Sequence, residues 1–104
     1  MRRSDNVLPH NHRVPPPTRP GEVLEREWLE PARISQTALA AKMGVHVKVV
    51  NGIVQGRRAV TAKTALLLSR SLGTTPEFWL NLQNACDLWD ASGQLAREKR
   101  VAAR

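Results

Sequence analysis

Positive charge is concentrated in one part of this 104-residue chain. Between Pro31 and Pro76 the sequence has no Asp or Glu, and it has seven basic residues: Arg33, Lys42, Lys48, Arg57, Arg58, Lys63 and Arg70. The other positions hold nine basic and nine acidic residues, so the formal charge of +7 belongs to this basic block. Lys and Arg side chains bind phosphates and release the counterions condensed on nucleic acid. A charged stretch is often only a solvated face, so its meaning depends on the elements that carry it.

Two short helices are predicted inside this block, within the segment from Ser35 to Arg58. Ser35 is a good N-cap for a helix from Gln36 to Met43, and Gly44 is a natural left-handed stop. A second helix is expected to start at His46 or Val47 and to end by Gly56. Apolar residues recur at helical spacing in both halves, at Ala38, Leu39, Met43 and Val45 and then at Val50, Ile53 and Val54. Two helices hinged at a glycine, followed by Arg57 and Arg58 placed to reach phosphates, are typical of a helix-turn-helix DNA reader.

Three further helices complete the predicted all-α bundle. The first opens at Pro20 and runs through Glu30, since proline is favoured at the first helical position. Thr61 is expected to cap a helix from Ala62 to about Leu72, and Thr75 to cap the last one, with Pro76 at its first position. The glutamates of the first helix have two open interpretations, a solvated face or a docking surface for a basic partner: Glu22, Glu25, Glu27 and Glu30.

The stretch from Arg19 to Trp89 resembles the HigA-type antitoxins, also called the VapI group, within the wider Xre and Cro/C1 helix-turn-helix family. The matching pieces are RPGEVLEREWLEP at 19–31, SQTALAAKMGV at 35–45, NGIVQGRRAVTAKTALLLSRSLGTTPEFWLNLQ at 51–83 and CDLW at 86–89. The resemblance implies a five-helix lambda-repressor-like fold. It also implies a homodimeric antitoxin that represses its own operon by binding double-stranded operator DNA. Its implied protein partner is a cognate HigB-type toxin, a small ribonuclease acting on ribosome-associated messenger RNA.

The same resemblance assigns the DNA-binding residues. It places Gln36 at the opening of the first motif helix, against a phosphate or a base edge, and it places four residues on the outward face of the recognition helix: Val47, Lys48, Asn51 and Gly52. Relatives usually carry polar or charged residues at positions 47, 49 and 52. Valine can touch a thymine methyl group, whereas glycine reads nothing, so direct readout is expected from Lys48, Asn51 and His46, with Arg57 and Arg58 on phosphates.

The last predicted helix carries an unusual number of large apolar side chains. They include a heptad-like seam at positions 79, 82, 86 and 89, and the full set is Phe78, Trp79, Leu82, Cys86 and Trp89. We interpret part of this set as a homodimer interface, because a dimer buries more apolar area and presents two recognition helices to successive turns of the major groove. The alternative is that these residues simply close the core of one chain.

Both ends of the chain differ from its middle. The segment 1–18 is rich in proline and is expected to be a flexible arm, 19–90 to be the folded domain, and 91–104 to be a basic tail that either extends the last helix or frays. No apolar run approaches 18 residues and no signal peptide is recognisable, so we expect a cytoplasmic protein with no membrane partner. The single cysteine, Cys86, excludes an internal disulfide.

Enzymatic chemistry has little support in the sequence. His10, His12, His46 and Cys86 do not combine at a metal-ligand spacing, no phosphate-binding glycine loop occurs, and the basic block lacks the acid that a nuclease site needs. We therefore expect no enzyme, no cofactor and no metal. Two other functions stay open beside the antitoxin: a stand-alone phage-type repressor without a toxin, and an interaction module whose DNA binding has decayed.

Overall fold

The computed structural model describes residues 15–102, and five helices are present in that range. Helix α1 spans 20–32 in three continuous pieces, an α-turn Pro20–Val23, a π-helix Leu24–Leu29 and a last turn Glu30–Ala32. The others are α2 (Gln36–Met43), α3 (Val47–Val54), α4 (Ala62–Leu72) and α5 (Pro76–Ala102). The predicted all-α fold with a helix-turn-helix at α2 and α3 is confirmed.

Helix α1 differs from the plain α-helix that the sequence predicts. Its π segment begins at Leu24 and ends at Leu29, and both leucines are buried. Hydrogen bonds in a π-helix join residues five apart, so two side chains at this spacing lie on the same side of the helix. Pro31, which has no backbone N–H, follows this segment, and Arg33 then ends the helix in the left-handed conformation at φ 56°.

The remaining helix ends follow local side-chain chemistry as predicted. Ser35 Oγ accepts the backbone N–H of Ala38 at 3.0 Å, and Thr75 Oγ1 accepts that of Phe78 at 3.2 Å. Thr61 and Thr64 cap α4 reciprocally. Helices α2 and α4 end at glycines with positive φ, Gly44 and Gly73. Helix α5 passes residue 90 without a break, so the described part of the basic tail extends the last helix.

One side of every helix packs into a shared core around Trp79. Trp79 has no exposed surface, lies with its ring centroid 5.3 Å from that of Trp28, and donates from Nε1 to Thr74 Oγ1 at 2.7 Å. Other fully buried members come from the remaining helices: Leu24, Leu39, Val50, Ile53, Ala65 and Leu68. The assignment of Trp79 to a dimer interface is therefore wrong, because its whole surface is used within the chain.

Cys86 needs the same correction. It is fully buried, its Sγ lies 3.5 Å from the backbone oxygen of Thr18, and burial raises the pKa of the thiol. A side chain without exposed surface cannot contact a second copy of the chain at a homodimer interface. One turn further along α5, Asp90 binds Arg19 through two hydrogen bonds of 3.1 Å, which hold the pKa of this carboxyl below its ordinary value. This pair joins the start of α1 to α5.

Helix α1 approaches the end of α3 at backbone distance. Gly21 is buried there, and a Cβ built on it would overlap the carbonyl oxygen of Ile53 and lie 2.7 Å from Cα of Val54. Only a residue without a side chain allows this approach. The position of α3 therefore depends on a glycine outside the helix-turn-helix.

Candidate nucleic-acid interface

Helix α3 is a short amphipathic helix that has one side in the core and one side toward solvent. Val50 and Ile53 are buried in the core, whereas Lys48 is exposed and Asn51 is half-buried. Val45, in the turn before α3, packs against the core as expected. The solvent side of α3, together with the basic loop 55–58 that follows, forms the surface that we call the recognition face.

Three predicted contact residues are linked by hydrogen bonds across the motif. Asn51 Nδ2 donates to Gln36 Oε1 at 3.1 Å, and Arg57 donates to Asn51 Oδ1 at 2.7 Å. The amide of Asn51 thus connects the first residue of α2 to the loop after α3. This leaves Asn51 fewer free groups for a base than its sequence position suggests, but it fixes the orientation of Arg57. Spacing along the chain does not predict this linkage, since Gln36 and Asn51 belong to different helices and Arg57 lies in the loop that follows.

His46 has a structural role at the start of α3. Its Nδ1 accepts the backbone N–H of Lys48 at 3.0 Å, so the side chain caps the helix. The expected start at His46 or Val47 is confirmed, with His46 as the cap and Val47 as the first helical residue. The ring is exposed, and Nε2 is the atom it has left for a ligand.

Two residues of the predicted outward face are less exposed than the sequence suggests. Gly52 is buried, because the side chain of Arg58 covers it, and Val47 is half-buried against the core. Gly52 therefore faces the cleft between α3 and the loop that follows, but Arg58 covers it, so it has little surface of its own to offer to DNA. The sequence pattern of α3 does not predict that Gly52 is covered, because the covering residue, Arg58, belongs to the loop and its side chain reaches back over the helix.

The two arginines after α3 are held close to it by backbone hydrogen bonds. The N–H groups of Arg57 and Arg58 both donate to the carbonyl oxygen of Gly52, at 2.9 and 3.0 Å. Gly56 makes the reversal possible with a φ of 78°. A cleft of about 450 Å³ opens between helix and loop, and its described lining contains no carboxylate: Lys48, Asn51, Gly52, Arg57 and Arg58. An anion or the acceptor edge of a base suits such a cleft.

Comparison with known proteins agrees with this geometry. The helix-turn-helix family matches residues 26–79. Antitoxin HigA-1 of Vibrio cholerae serotype O1 is 45% identical over 84 residues, which are 81% of this chain and 79% of the relative. The chain belongs to the HigA family of helix-turn-helix antitoxins.

Solved structures of HigA-type antitoxins share the fold of this family member. Antitoxin GraA in complex with its operator superposes with a TM-score of 0.74 at 44% identity, covering 85% of this chain and 89% of GraA. The Pseudomonas aeruginosa antitoxin HigA with the higBA promoter gives a TM-score of 0.71 at 38% identity, covering 82% and 90%. The resemblance drawn from the sequence is confirmed. The HigA family is one of DNA-binding regulators, which is not an enzyme class.

The remaining predicted interface residues of this HigA-family chain lie on α5. Phe78 is 36% exposed, whereas Leu82 and Trp89 are half-buried. Farther along, Leu88 and Leu95 are 55% and 65% exposed. The sequence did not predict either as an interface residue, because both lie outside the heptad-like seam. These two leucines are seven residues apart, which places them on one side of the helix.

Two features of residues 15–102 bear on other functions. No helix there is long and apolar enough to cross a membrane. No group of three or more His, Cys, Asp or Glu residues in that range is arranged to hold a metal ion. The pair His10 and His12, and the arginines of the N-terminal arm, lie outside the described residues.

Proposed function

We propose that this chain is an antitoxin that binds the operator of its own operon and neutralises a HigB-type ribonuclease toxin. The DNA-binding part of this proposal rests on the recognition face. There Lys48, Arg57 and Arg58 line a cleft, and none of its lining residues within 15–102 carries a carboxylate. Relatives of the same fold are known in complex with an operator and with a promoter. The names of the relatives favour the antitoxin over a stand-alone phage-type repressor.

On DNA, α3 enters the major groove and its exposed residues meet the bases. Lys48 is free to donate to guanine, and the remaining surface of Val47 contacts a thymine methyl group. Asn51 presents one free N–H beside its two internal bonds, while Gln36 and Arg57 flank it. His46 contributes Nε2, since Nδ1 caps the helix.

A second copy of the chain completes the DNA reader. Phe78, Leu82 and Trp89 form the proposed homodimer contact, and the exposed leucines 88 and 95 lie on the same helix. Paired recognition helices reach half-sites about 34 Å apart, which doubles the contacts and sets the spacing of the operator. The weak sequence recognition by each recognition helix is then compensated by the spacing of the two helices in the dimer.

Lys48→Ala is expected to lower affinity for the protein's own upstream DNA by about tenfold or more, because it removes a donor from the centre of the recognition face. The measurement is fluorescence anisotropy with that duplex and a scrambled one, at low and physiological salt. The wild type should prefer its own DNA by roughly a thousandfold. Lys99→Ala is the matched control, since it removes the same charge from an exposed site near the end of α5.

Equal binding of both duplexes, vanishing as salt rises, would show that the basic block supplies only counterion release. Equal effects of the two lysine variants would point the same way. Absence of DNA binding in the wild type would instead support an interaction module whose DNA function has decayed.

The proposed antitoxin function predicts that the protein neutralises its toxin even when its DNA binding is weakened. Cells expressing the toxin encoded beside this gene should regain growth when they also express either the wild type or the Lys48→Ala variant, because Lys48 belongs to the recognition face. Growth is measured with the toxin expressed from an unrelated inducible promoter that lacks the operator, so that repression plays no part. A wild-type protein that fails to restore growth would favour the stand-alone repressor.

A further inference from the structure

Gly52, in the recognition helix α3, has no side chain. The side chain of Arg58, from the loop that follows, occupies the space beside it. A Cβ built on Gly52 would lie 3.0 Å from Cβ of Arg58, 3.3 Å from its Nε and 3.7 Å from its Cδ. The aliphatic stem of Arg58 therefore lies across α3 at position 52. Any larger residue at 52 would compete with it for this space.

Backbone contacts hold Arg58 there. Its N–H donates to the carbonyl oxygen of Gly52 at 3.0 Å, so its Cβ is fixed close to the helix by the loop and cannot move away by a change of side-chain rotamer. Gly56, in the left-handed conformation, turns the chain back toward α3. Arg58 thus starts from a defined position on the recognition face.

The guanidinium of Arg58 has no partner among the described residues, unlike that of its neighbour. Arg57 is bound to Asn51 at 2.7 Å, whereas the Arg58 side chain forms no hydrogen bond or ion pair within residues 15–102. Both arginines line the same cleft, beside Lys48. Gly52 is one helical turn beyond Lys48, so the stem of Arg58 crosses the side of α3 that carries this lysine.

We propose that Arg58 reads a guanine in place of a side chain at position 52, and that Gly52 is the residue that admits it. This inference rests on the proposed function, since it requires α3 in the major groove. Guanine presents O6 and N7 as two adjacent acceptors, and the planar guanidinium of arginine matches them with two donors. A stem that crosses α3 at position 52 brings these donors to the side of the helix that faces the bases, whereas a phosphate contact needs only a charge at the groove edge.

The test uses the full chain and its own upstream duplex, in which each base pair is replaced in turn. Competition anisotropy gives the relative affinity of every duplex for four proteins: the wild type, Arg58→Ala, Gly52→Ala and the double variant. Arg58→Ala should lower discrimination at one G·C pair in each half-site by about tenfold or more. Gly52→Ala should lower it at the same pair although the net charge is unchanged, and the double variant should add nothing further. Circular dichroism checks that each variant folds.

Arg70→Ala is the control, because it removes one exposed positive charge outside the cleft. A loss of affinity in Arg58→Ala that is equal for all duplexes, with a salt dependence reduced by about one ion, would identify a phosphate contact and overturn the inference. Full discrimination in Gly52→Ala would overturn it too. If the wild type shows no sequence preference, the proposed DNA reading fails together with the inference, whereas the other results leave that proposal standing.

Discussion

Gly21→Ala is expected to destabilise the fold by about 3 kcal/mol or more and to lower Tm by about 15 °C or more. The new methyl group would overlap the carbonyl oxygen of Ile53 and approach Cα of Val54. Both are backbone atoms, so no change of rotamer relieves the overlap, and α1 and α3 must separate. Domains of this size have only about 5–15 kcal/mol of stability. Thermal unfolding followed by circular dichroism measures the effect.

Gly73→Ala serves as the control for this variant. Its φ is 76° and nothing lies within 4 Å of the added Cβ, so the change introduces backbone strain alone, about 1–2 kcal/mol. A Tm for Gly21→Ala equal to or above that of Gly73→Ala would show that the two helices yield easily. A folded Gly21→Ala protein should still bind DNA more weakly, because α1 helps to set the position of α3.

Trp79→Ala is expected to lower the free energy of unfolding by about 3–5 kcal/mol. Trp79 is fully buried between Trp28 and Phe78, and its indole N–H is satisfied by Thr74. Because these contacts lie within one chain, the loss of stability relative to the wild type should be the same at protein concentrations that differ tenfold. Chemical denaturation at both concentrations provides the measurement.

Trp89→Ala provides the comparison, since Trp89 is half-buried on the proposed dimer surface. This variant should keep its helical content while sedimentation equilibrium shows weaker self-association. The assignment of Trp79 to the core would be contradicted if Trp79→Ala kept the unfolding free energy of the wild type and became monomeric. Dimerisation through α5 would be contradicted if the wild type were monomeric at every concentration.

Local chemistry explains why most of the fold could be predicted. The caps at Ser35, Thr61 and Thr75 and the left-handed glycines are decided by residues within a few positions of one another. The basic block and the two apolar stripes of the helix-turn-helix are also properties of the linear sequence. These features indicate the family and the DNA-binding helix from the sequence alone.

The errors concern contacts between residues from different elements. The apolar seam of α5 was recognised by its spacing, but spacing does not tell which of its members the rest of the chain covers, so Trp79 and Cys86 were placed at an interface. A helical wheel places Gly52 on the cleft side of α3 but omits Arg58, so it does not predict that this glycine is covered. The π-helix in α1 is a local change of hydrogen-bond spacing that capping and periodicity rules do not predict.

The hydrogen-bonded link from Gln36 through Asn51 to Arg57 also bears on how quickly a wrong sequence is rejected. A long arginine side chain normally loses about 0.5–1.5 kcal/mol in conformational entropy when it is immobilised at an interface. Arg57 is already ordered before DNA arrives, so the correct operator gains from a donor that needs no rearrangement. On an unsuitable sequence the same order becomes a disadvantage, because Arg57 can adapt only by breaking its bond to Asn51. Such a complex should dissociate rapidly, leaving the protein free to continue its search along the DNA.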